Sequence, residues 1–209
     1  MDSNLIRVMI VDDHELIREG LAELLSRCED ISVVGKADSG VAALTLYREH
    51  TPDVSLIDLR MAPMGGIDTI VSLRKEYPDA RIIMLSAFDT DDEIYQGLRA
   101  GAASYLLKDV AWEELVGTIR AVHAGEKRVP PHIAAKLADH MSKPELTARQ
   151  LDTLRLIVAG RSNQEIAEQL YITEGTVKAH VKAILSKLGA RDRTQAATLA
   201  IKRGIVQQG

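Results

Sequence analysis

The sequence predicts a parallel α/β domain followed by a small all-α domain. Five short apolar runs alternate with helical patterns over residues 1–125, a proline-bearing segment follows, and residues 146–209 carry helical patterns alone. Strands that alternate with helices need right-handed crossovers, which give a parallel sheet covered on both faces. We therefore assign residues 126–145 to a linker, with a short helix over 131–141.

In the first domain each apolar run has the length of a buried strand, and the stripe of an amphipathic helix follows it. The first stripe is Ile17, Leu21, Leu24 and Leu25, and the fifth is Trp112, Leu115, Val116 and Ile119. Thr90 and Glu93 have the spacing of a capping box at the start of the fourth helix. The predicted strands are 5–11, 31–36, 54–58, 81–86 and 103–107, and the helices between strands two and five are 40–49, 66–76 and 91–100.

In the second domain the helix boundaries are marked by capping residues. The segments 147–150 and 162–165 are capping boxes, so each predicts a helix start. Gly160 and Gly189 predict helix ends, because glycine adopts the left-handed conformation that closes a helix. Asp192 predicts the start of a last helix that runs to about Gly204.

The composition is that of an ordinary globular protein, with 46% hydrophobic and 27% charged residues. No apolar run approaches the roughly 18 residues that cross a bilayer, and the N-terminus lacks the features of a secretory signal. Cys28 is the single cysteine, which excludes an internal disulfide and suits a reducing compartment. We expect a cytoplasmic protein without a membrane partner.

The two domains differ in the sign of their charge. Residues 1–125 hold 12 Lys and Arg against 22 Asp and Glu, a balance of −10. Residues 126–209 hold 14 against 8, a balance of +6. Such a division predicts a polyanionic partner for the second domain, with a chance difference between two surfaces as the alternative.

Polar side chains follow the strands of the first domain at one edge of the predicted sheet. Asp12 and Asp13 follow strand one, Asp58 ends strand three, Ser86 ends strand four and Lys108 follows strand five. Chemistry in parallel sheets gathers at the carboxyl ends of the strands, so we expect these five side chains to converge. Taken singly, each has a simpler interpretation: Asp13 as a helix cap, Asp58 as a loop residue and Lys108 as a surface charge.

Three neighbouring carboxylates repel each other unless a cation lies among them, and an all-oxygen site of this kind favours Mg²⁺. Asp58 could then act as a nucleophile towards phosphorus, while Mg²⁺ and Lys108 neutralise the transferring oxygens. The added charge would draw in the Ser86 hydroxyl and leave room for Tyr105 to turn inward. This chemistry predicts an aspartyl phosphate at Asp58.

The predicted helix 174–188 has an apolar inner stripe and a basic outer face. The outer face presents Lys178, Ala179, Lys182 and Ser186, with His180 and Lys187 at its margins. Small residues between lysines let a helix enter the major groove of double-stranded DNA. With the preceding helix and the short turn 171–173, the pattern predicts a helix-turn-helix, although a solvated lysine face is the simpler alternative.

The residues around the acidic site are similar to the receiver domain of two-component response regulators, in the segments 11–21, 56–61, 85–89 and 105–109. The resemblance implies a flavodoxin-like sheet of strand order 2-1-3-4-5 and phosphorylation of Asp58 by a sensor histidine kinase. It also implies that Asp13, Asp58 and the backbone carbonyl of Arg60 bind Mg²⁺, with Asp12 acting mainly through water. The family usually has proline at the position of Ala62.

The second domain resembles the LuxR-type output domain in the segments 146–150, 163–167 and 176–188, which implies a regulator of the NarL/FixJ class that binds DNA as a dimer. The resemblance puts Lys178, Ala179 and Lys182 at the groove and Thr176 near the DNA backbone. We add Lys187 to this DNA-contacting set. The resemblance also implies dimerisation through the last helix, 195–203.

We therefore expect a transcriptional regulator, not an enzyme, that dimerises and binds promoters when Asp58 is phosphorylated. One alternative is a regulator that never needs phosphate and uses its receiver only as an interaction module. A second is a phosphatase with aspartyl-phosphate chemistry. Such hydrolases carry a further acid two residues after the first-strand nucleophile, and the adjacent pair Asp12 and Asp13 lacks that spacing.

Overall fold

A computed structural model describes residues 5–142, 146–202 and 205–206. The chain forms two compact units, Met1–His140 and Met141–Gly209. Across the described residues, no helix is both long enough and apolar enough to span a membrane.

The first unit is built on a five-stranded parallel sheet of order β2-β1-β3-β4-β5, which confirms the predicted topology. Residues alternate between the two faces of each strand. Met9, Ile57 and Met84 therefore belong to one apolar core. Ile10 and Leu56 belong to the other. The strands are β1 Ile6–Val11, β2 Ile31–Ala37, β3 Val54–Asp58, β4 Ile82–Ser86 and β5 Ser104–Leu107.

Helices cover both faces of this sheet, as the alternating pattern predicts. They begin and end within one or two residues of the predicted positions where the sequence analysis gave bounds. The helices are α1 Glu15–Leu25, α2 Gly40–His50, α3 Gly66–Glu76, α4 Asp91–Ala100, α5 Trp112–His123 and α6 Pro131–Ser142.

The capping box predicted at α4 is only half formed. The Thr90 hydroxyl accepts a hydrogen bond from the Glu93 backbone N–H at 3.4 Å, as a cap should. The Glu93 carboxylate, however, accepts from the Thr90 hydroxyl at 2.8 Å and from the guanidinium of Arg60. A charged partner from another loop therefore takes the place of the reciprocal bond to the Thr90 backbone.

The helix α6 lies with the first unit, although the sequence analysis placed it in a linker. Ile133 is fully buried in the first core, and Val129 and Leu137 pack against the same cluster. The compact unit consequently extends past residue 125, because this helix buries an apolar face that would otherwise meet water. Of the predicted linker, residues 143–145 lie outside the described residues.

The second unit consists of α7 Ala148–Val158, α8 Asn163–Leu170, α9 Glu174–Leu188 and α10 Arg193–Lys202. Both predicted capping boxes are present, at Thr147 and Ser162. The side chain of Asp192 accepts a hydrogen bond from the Gln195 N–H at 2.7 Å, so it caps α10 as predicted. The predicted end of this helix at Gly204 lies outside the described residues.

The helices α8 and α9 form the predicted helix-turn-helix around a shared apolar core. Ile166 of α8 and Val177 and Ile184 of α9 are fully buried in this core. The turn between the helices opens at Tyr171, whose left-handed backbone ends α8. The inner stripe of α9 is therefore fixed, and its opposite face is left to solvent.

Replacing Gly66 with alanine should destabilise the first unit by roughly 1–3 kcal/mol. A Cβ atom at Gly66 would lie 2.1 Å from the carbonyl oxygen of Asp58 and 2.9 Å from the Cα of Leu59, and neither backbone atom can move away cheaply. Gly65→Ala is the matched control, since its nearest contact would be an ordinary 3.7 Å and its cost should stay within about 0.5 kcal/mol. Urea denaturation of both variants measures the difference, and equal stabilities would contradict the close approach.

Candidate functional site

The structure brings the three predicted acidic side chains together at the carboxyl edge of the sheet. Ligand atoms of Asp12, Asp13, His14 and Asp58 all lie within 4.8 Å of one another. Asp12 and Asp58 are buried, with 0% and 3% of their surface exposed, whereas Asp13 faces solvent. The cluster is therefore closed on one side and accessible on the other.

Lys108 bridges the two buried carboxylates. Its ammonium nitrogen lies 2.7 Å from Oδ2 of Asp12 and 3.1 Å from Oδ1 of Asp58. The backbone holds it there, because the Lys108 N–H donates to the carbonyl of Ser86 at 2.8 Å, which extends the pairing between β4 and β5. One positive charge thus faces two negative charges in a region with little water.

The pKa of Asp58 is raised above its usual value. Burial is the largest cause, because it disfavours the charged form, and the charge of Asp12 acts in the same direction. The hydrogen bond and charge of Lys108, together with the backbone N–H of Arg60, act in the opposite direction without cancelling the effect. A further cation at this site would favour the ionised carboxylate.

The turn after β1 is held by contacts that the sequence analysis missed. Oδ1 of Asp12 accepts the backbone N–H of His14 at 2.9 Å, and the guanidinium of Arg18 donates to the carbonyl of Asp12 at 2.7 Å. Nδ1 of His14 lies 2.8 Å from Oδ1 of Asp13. The contact between Asp12 and Arg18 has no sequence signal, because Asp12 lies before α1 and a separation of six residues is not a same-face spacing of a helix.

Ser86 and Tyr105 meet at the loop that follows β4. The Ser86 hydroxyl, which is buried, accepts the backbone N–H of Phe88 at 3.0 Å. The hydroxyl of Tyr105 donates to the carbonyl of Phe88 at 2.7 Å. Tyr105 is fully buried, and burial is the main reason that its pKa is raised to about 12.

Tyr105 lies inward in this structure, in the direction that the sequence analysis expects for it. Its ring belongs to the first apolar core. The Phe88 carbonyl supplies the partner that a buried hydroxyl requires.

In the second unit, the outer face of α9 is exposed as predicted. Thr176, Lys178, Ala179 and Lys182 are all exposed. The ammonium of Lys178 lies 4.0 Å from the carboxylate of Glu174, one turn earlier. An exposed pair of this kind is weak, so Lys178 is available to a stronger anionic partner.

Lys187 differs from the other lysines of α9. It is half-buried, and its ammonium donates to the side-chain oxygen of Gln150 at 2.8 Å. The same oxygen accepts the backbone N–H of Thr147, which completes the capping box of α7. Lys187 therefore links α9 to the start of α7.

Family models account for both units. The model for the response regulator receiver domain matches residues 8–120, and the model for bacterial regulatory proteins of the luxR family matches residues 144–200. The chain belongs to the LuxR-type response regulators. It is accordingly a two-component transcriptional regulator with a DNA-binding second domain.

Several proteins and solved structures match this response regulator over nearly the whole of both chains. It is 40% identical over 207 residues to the response regulator protein VraR of Staphylococcus epidermidis, covering 97% of this chain and 99% of that protein. The crystal structure of ChrA, from a heme-sensing two-component system, is 35% identical with a TM-score of 0.58, covering 97% and 99% of the two chains. A structure of RcsB dimers bound to DNA is 25% identical with a TM-score of 0.75, covering 94% and 98%.

Lys108→Met should destabilise the receiver of this response regulator by about 3 kcal/mol near neutral pH, because two buried carboxylates lose their shared cation. The raised pKa of Asp58 sets the sign of the pH dependence. Lys108 lowers the pKa of Asp58, so that pKa is higher still in the variant. The cost is fully present above the variant's pKa and shrinks as the pH falls through it, since protonation removes the unpaired charge.

Urea unfolding in EDTA, near pH 7.5 and near pH 5, measures this pH dependence. Lys75→Met, at an exposed position of α3, is the control and should change stability by less than about 0.5 kcal/mol at either pH. A loss for Lys108→Met that does not shrink at the lower pH would contradict the electrostatic explanation.

Proposed function

We propose that this protein is a cytoplasmic regulator whose receiver accepts a phosphoryl group on Asp58 from a sensor histidine kinase. The observation that carries the proposal is the Lys108 ammonium between the buried carboxylates of Asp12 and Asp58, beside the exposed Asp13. This is the charge arrangement that phosphoryl transfer requires, because catalysis there consists mainly of positioning and neutralisation. The second unit then carries the output, promoter binding.

The donor atoms at the acidic edge fit a magnesium ion. They are carboxylate oxygens, which Mg²⁺ prefers, and two of the carboxylates are buried with a single ammonium to balance them. Asp13, Asp58 and the backbone carbonyl of Arg60 would hold the ion, with Asp12 acting through water. When bound, Mg²⁺ supplies positive charge to the oxygens of the transferring phosphoryl group.

The protein's own residues would then divide the transfer among them. A carboxylate oxygen of Asp58 attacks the phosphorus and forms a new O–P bond, while the P–N bond to the donor imidazole breaks and the nitrogen keeps the electron pair. Lys108 stabilises the phosphoryl oxygens. The buried Ser86 hydroxyl lies at the end of the neighbouring strand, where it can hydrogen-bond to one of them.

The output would be double-stranded DNA binding through α9. Lys178, Ala179 and Lys182 lie on its exposed face and would enter the major groove, with Thr176 near the phosphates. Lys187 is a weaker candidate for a DNA contact, because its ammonium donates a hydrogen bond to Gln150.

The active form would be a homodimer, since two linked half-sites multiply the affinity of each one. The RcsB neighbour is described as dimers bound to DNA. Sequence resemblance suggests the last helix, 195–203, as the dimer surface. Arg203 at its end lies outside the described residues.

A second possibility makes no use of the phosphoryl group. The alternative is a regulator that binds promoters independently of phosphate and uses its receiver to contact other proteins. Labelling of Asp58 separates the two possibilities.

Asp58→Asn should abolish incorporation of phosphate from acetyl phosphate, because an amide cannot act as the nucleophile. Wild-type protein should incorporate phosphate only when Mg²⁺ is present, and its promoter affinity should then rise, whereas the variant's should not change. Asp79→Asn, at an exposed aspartate before β4 and at the opposite end of the sheet, should behave as wild type. Equal promoter affinity with and without the phosphodonor in fully labelled wild type would favour the phosphate-independent alternative.

Lys178→Ala and Lys182→Ala should each weaken promoter binding by roughly 1–3 kcal/mol if the lysine contacts a base. If it contacts a phosphate, the salt dependence of log Kd should instead fall by about 1. Arg155→Ala removes an exposed charge from α7 of the same unit and serves as the control. Fluorescence anisotropy over a range of salt concentrations measures both quantities, and wild-type values for both lysine variants would place the interface elsewhere.

A further inference from the structure

The loop between β4 and α4, residues 87–90, connects the proposed phosphorylation site to α6. At its start, the Phe88 backbone N–H donates to the Ser86 hydroxyl at 3.0 Å. Its middle is held by Tyr105, which donates to the Phe88 carbonyl at 2.7 Å. The guanidinium of Arg60, two residues after Asp58, lies 3.9 Å from the centre of the Phe88 ring. The loop therefore contacts both Ser86 and the segment that follows Asp58.

Lys136 of α6 contacts the same loop one residue further on. Its ammonium donates to the backbone carbonyl of Asp89 at 2.8 Å and also contacts the Asp89 carboxylate. Both side chains are partly exposed, 34% for Lys136 and 49% for Asp89. The contact joins a helix to a loop 47 positions earlier, so it is not a local consequence of helix geometry.

The position of Lys136 is fixed by apolar packing of α6. Ile133 is fully buried in the first core, and Leu137, one turn later, packs against the same cluster. Lys136 is three residues after Ile133 and therefore lies beside this buried stripe. The second unit begins at Met141, near the end of α6. A change in how α6 packs against the first unit therefore acts on the segment that leads into the second unit.

We infer that Lys136 is a positioning residue that couples the phosphoryl state of the receiver to the attachment of α6. The inference deepens the proposed function and rests on it. A Ser86 hydroxyl that turns to a phosphoryl oxygen gives up the Phe88 N–H, and the loop must then rearrange. The Asp89 carbonyl, next in the chain, moves with it and weakens the bond to Lys136. Phosphorylation in this way loosens α6 from the loop.

Coupling between two sites is reciprocal, which makes the inference testable. If phosphoryl binding weakens the Lys136 contact, removing that contact must strengthen phosphoryl binding by the same factor. For a partly exposed charged contact we expect a factor of about two to five. If removing the contact only damaged the loop, the affinity for the phosphoryl group would fall instead of rising.

The experiment measures the affinity of the full chain for beryllofluoride, a phosphoryl mimic, by calorimetry in the presence of Mg²⁺. Lys136→Met should bind it about two- to fivefold more tightly than wild type. Lys136→Arg, which keeps the charge, should restore the wild-type affinity. Lys127→Met, at an exposed lysine before α6, is the matched control and should bind as wild type does. Asp89→Asn combined with Lys136→Met should give less than the product of the two single effects.

Hydrogen exchange gives an independent readout. Backbone amides of α6 should exchange faster in wild type when beryllofluoride is bound, and no faster in Lys136→Met. Unchanged affinity in Lys136→Met, or unchanged α6 exchange in wild type that binds the mimic, would overturn this inference alone. A wild-type protein that does not bind beryllofluoride at all would overturn the proposed phosphorylation of Asp58 as well.

Discussion

The contact on which the receiver depends is the one between the Lys108 ammonium and the carboxylates of Asp12 and Asp58. Ionised groups with so little exposure are costly unless they are paired. The lysine pairs with both and so joins the ends of β1 and β3 to the end of β5, across the intervening strand β4. The sheet order makes this possible, because β1 and β3 are adjacent and β5 is only two strands from β3.

The same arrangement bears on the proposed reactivity of the site. Two acids share one base, and the burial that raises the pKa of Asp58 leaves its ionised form incompletely compensated. A carboxylate in that condition gains from any arriving cation or electrophile. The stability of the fold and the proposed phosphoryl transfer would therefore depend on the same imbalance of charge, beside the solvent-exposed Asp13.

Much of the architecture followed from the sequence, because it depends on local and periodic signals. The bounds of β3 and α9 agree with the predicted ones, since a short apolar run and a long apolar stripe each have few alternative interpretations. The convergence of Asp12, Asp58 and Lys108 was predictable for a different reason: the carboxyl ends of parallel strands share one edge.

What could not be predicted depends on contacts between remote side chains. The bond from Lys187 to Gln150 joins two helices whose relative placement no helical pattern encodes. The contact of the Glu93 carboxylate with Arg60, in place of the reciprocal bond to the Thr90 backbone, has the same origin. The partner of the Tyr105 hydroxyl, the Phe88 carbonyl, is a loop atom with no sequence signature. The attachment of α6 was missed because a proline-flanked segment reads as a linker until its burial is known.

The burial of Ile133 bears on how such a protein can be divided and recombined. The boundary between the units lies near the end of α6, and not at residue 125, where the sequence analysis ends the first domain. A fusion that grafts a different output module after residue 125 would strip a hydrophobic cover from the receiver and leave it prone to self-association. A fusion made beyond residue 142 would keep α6 on the receiver. The burial of Ile133 therefore limits where the output domain of such a protein can be exchanged.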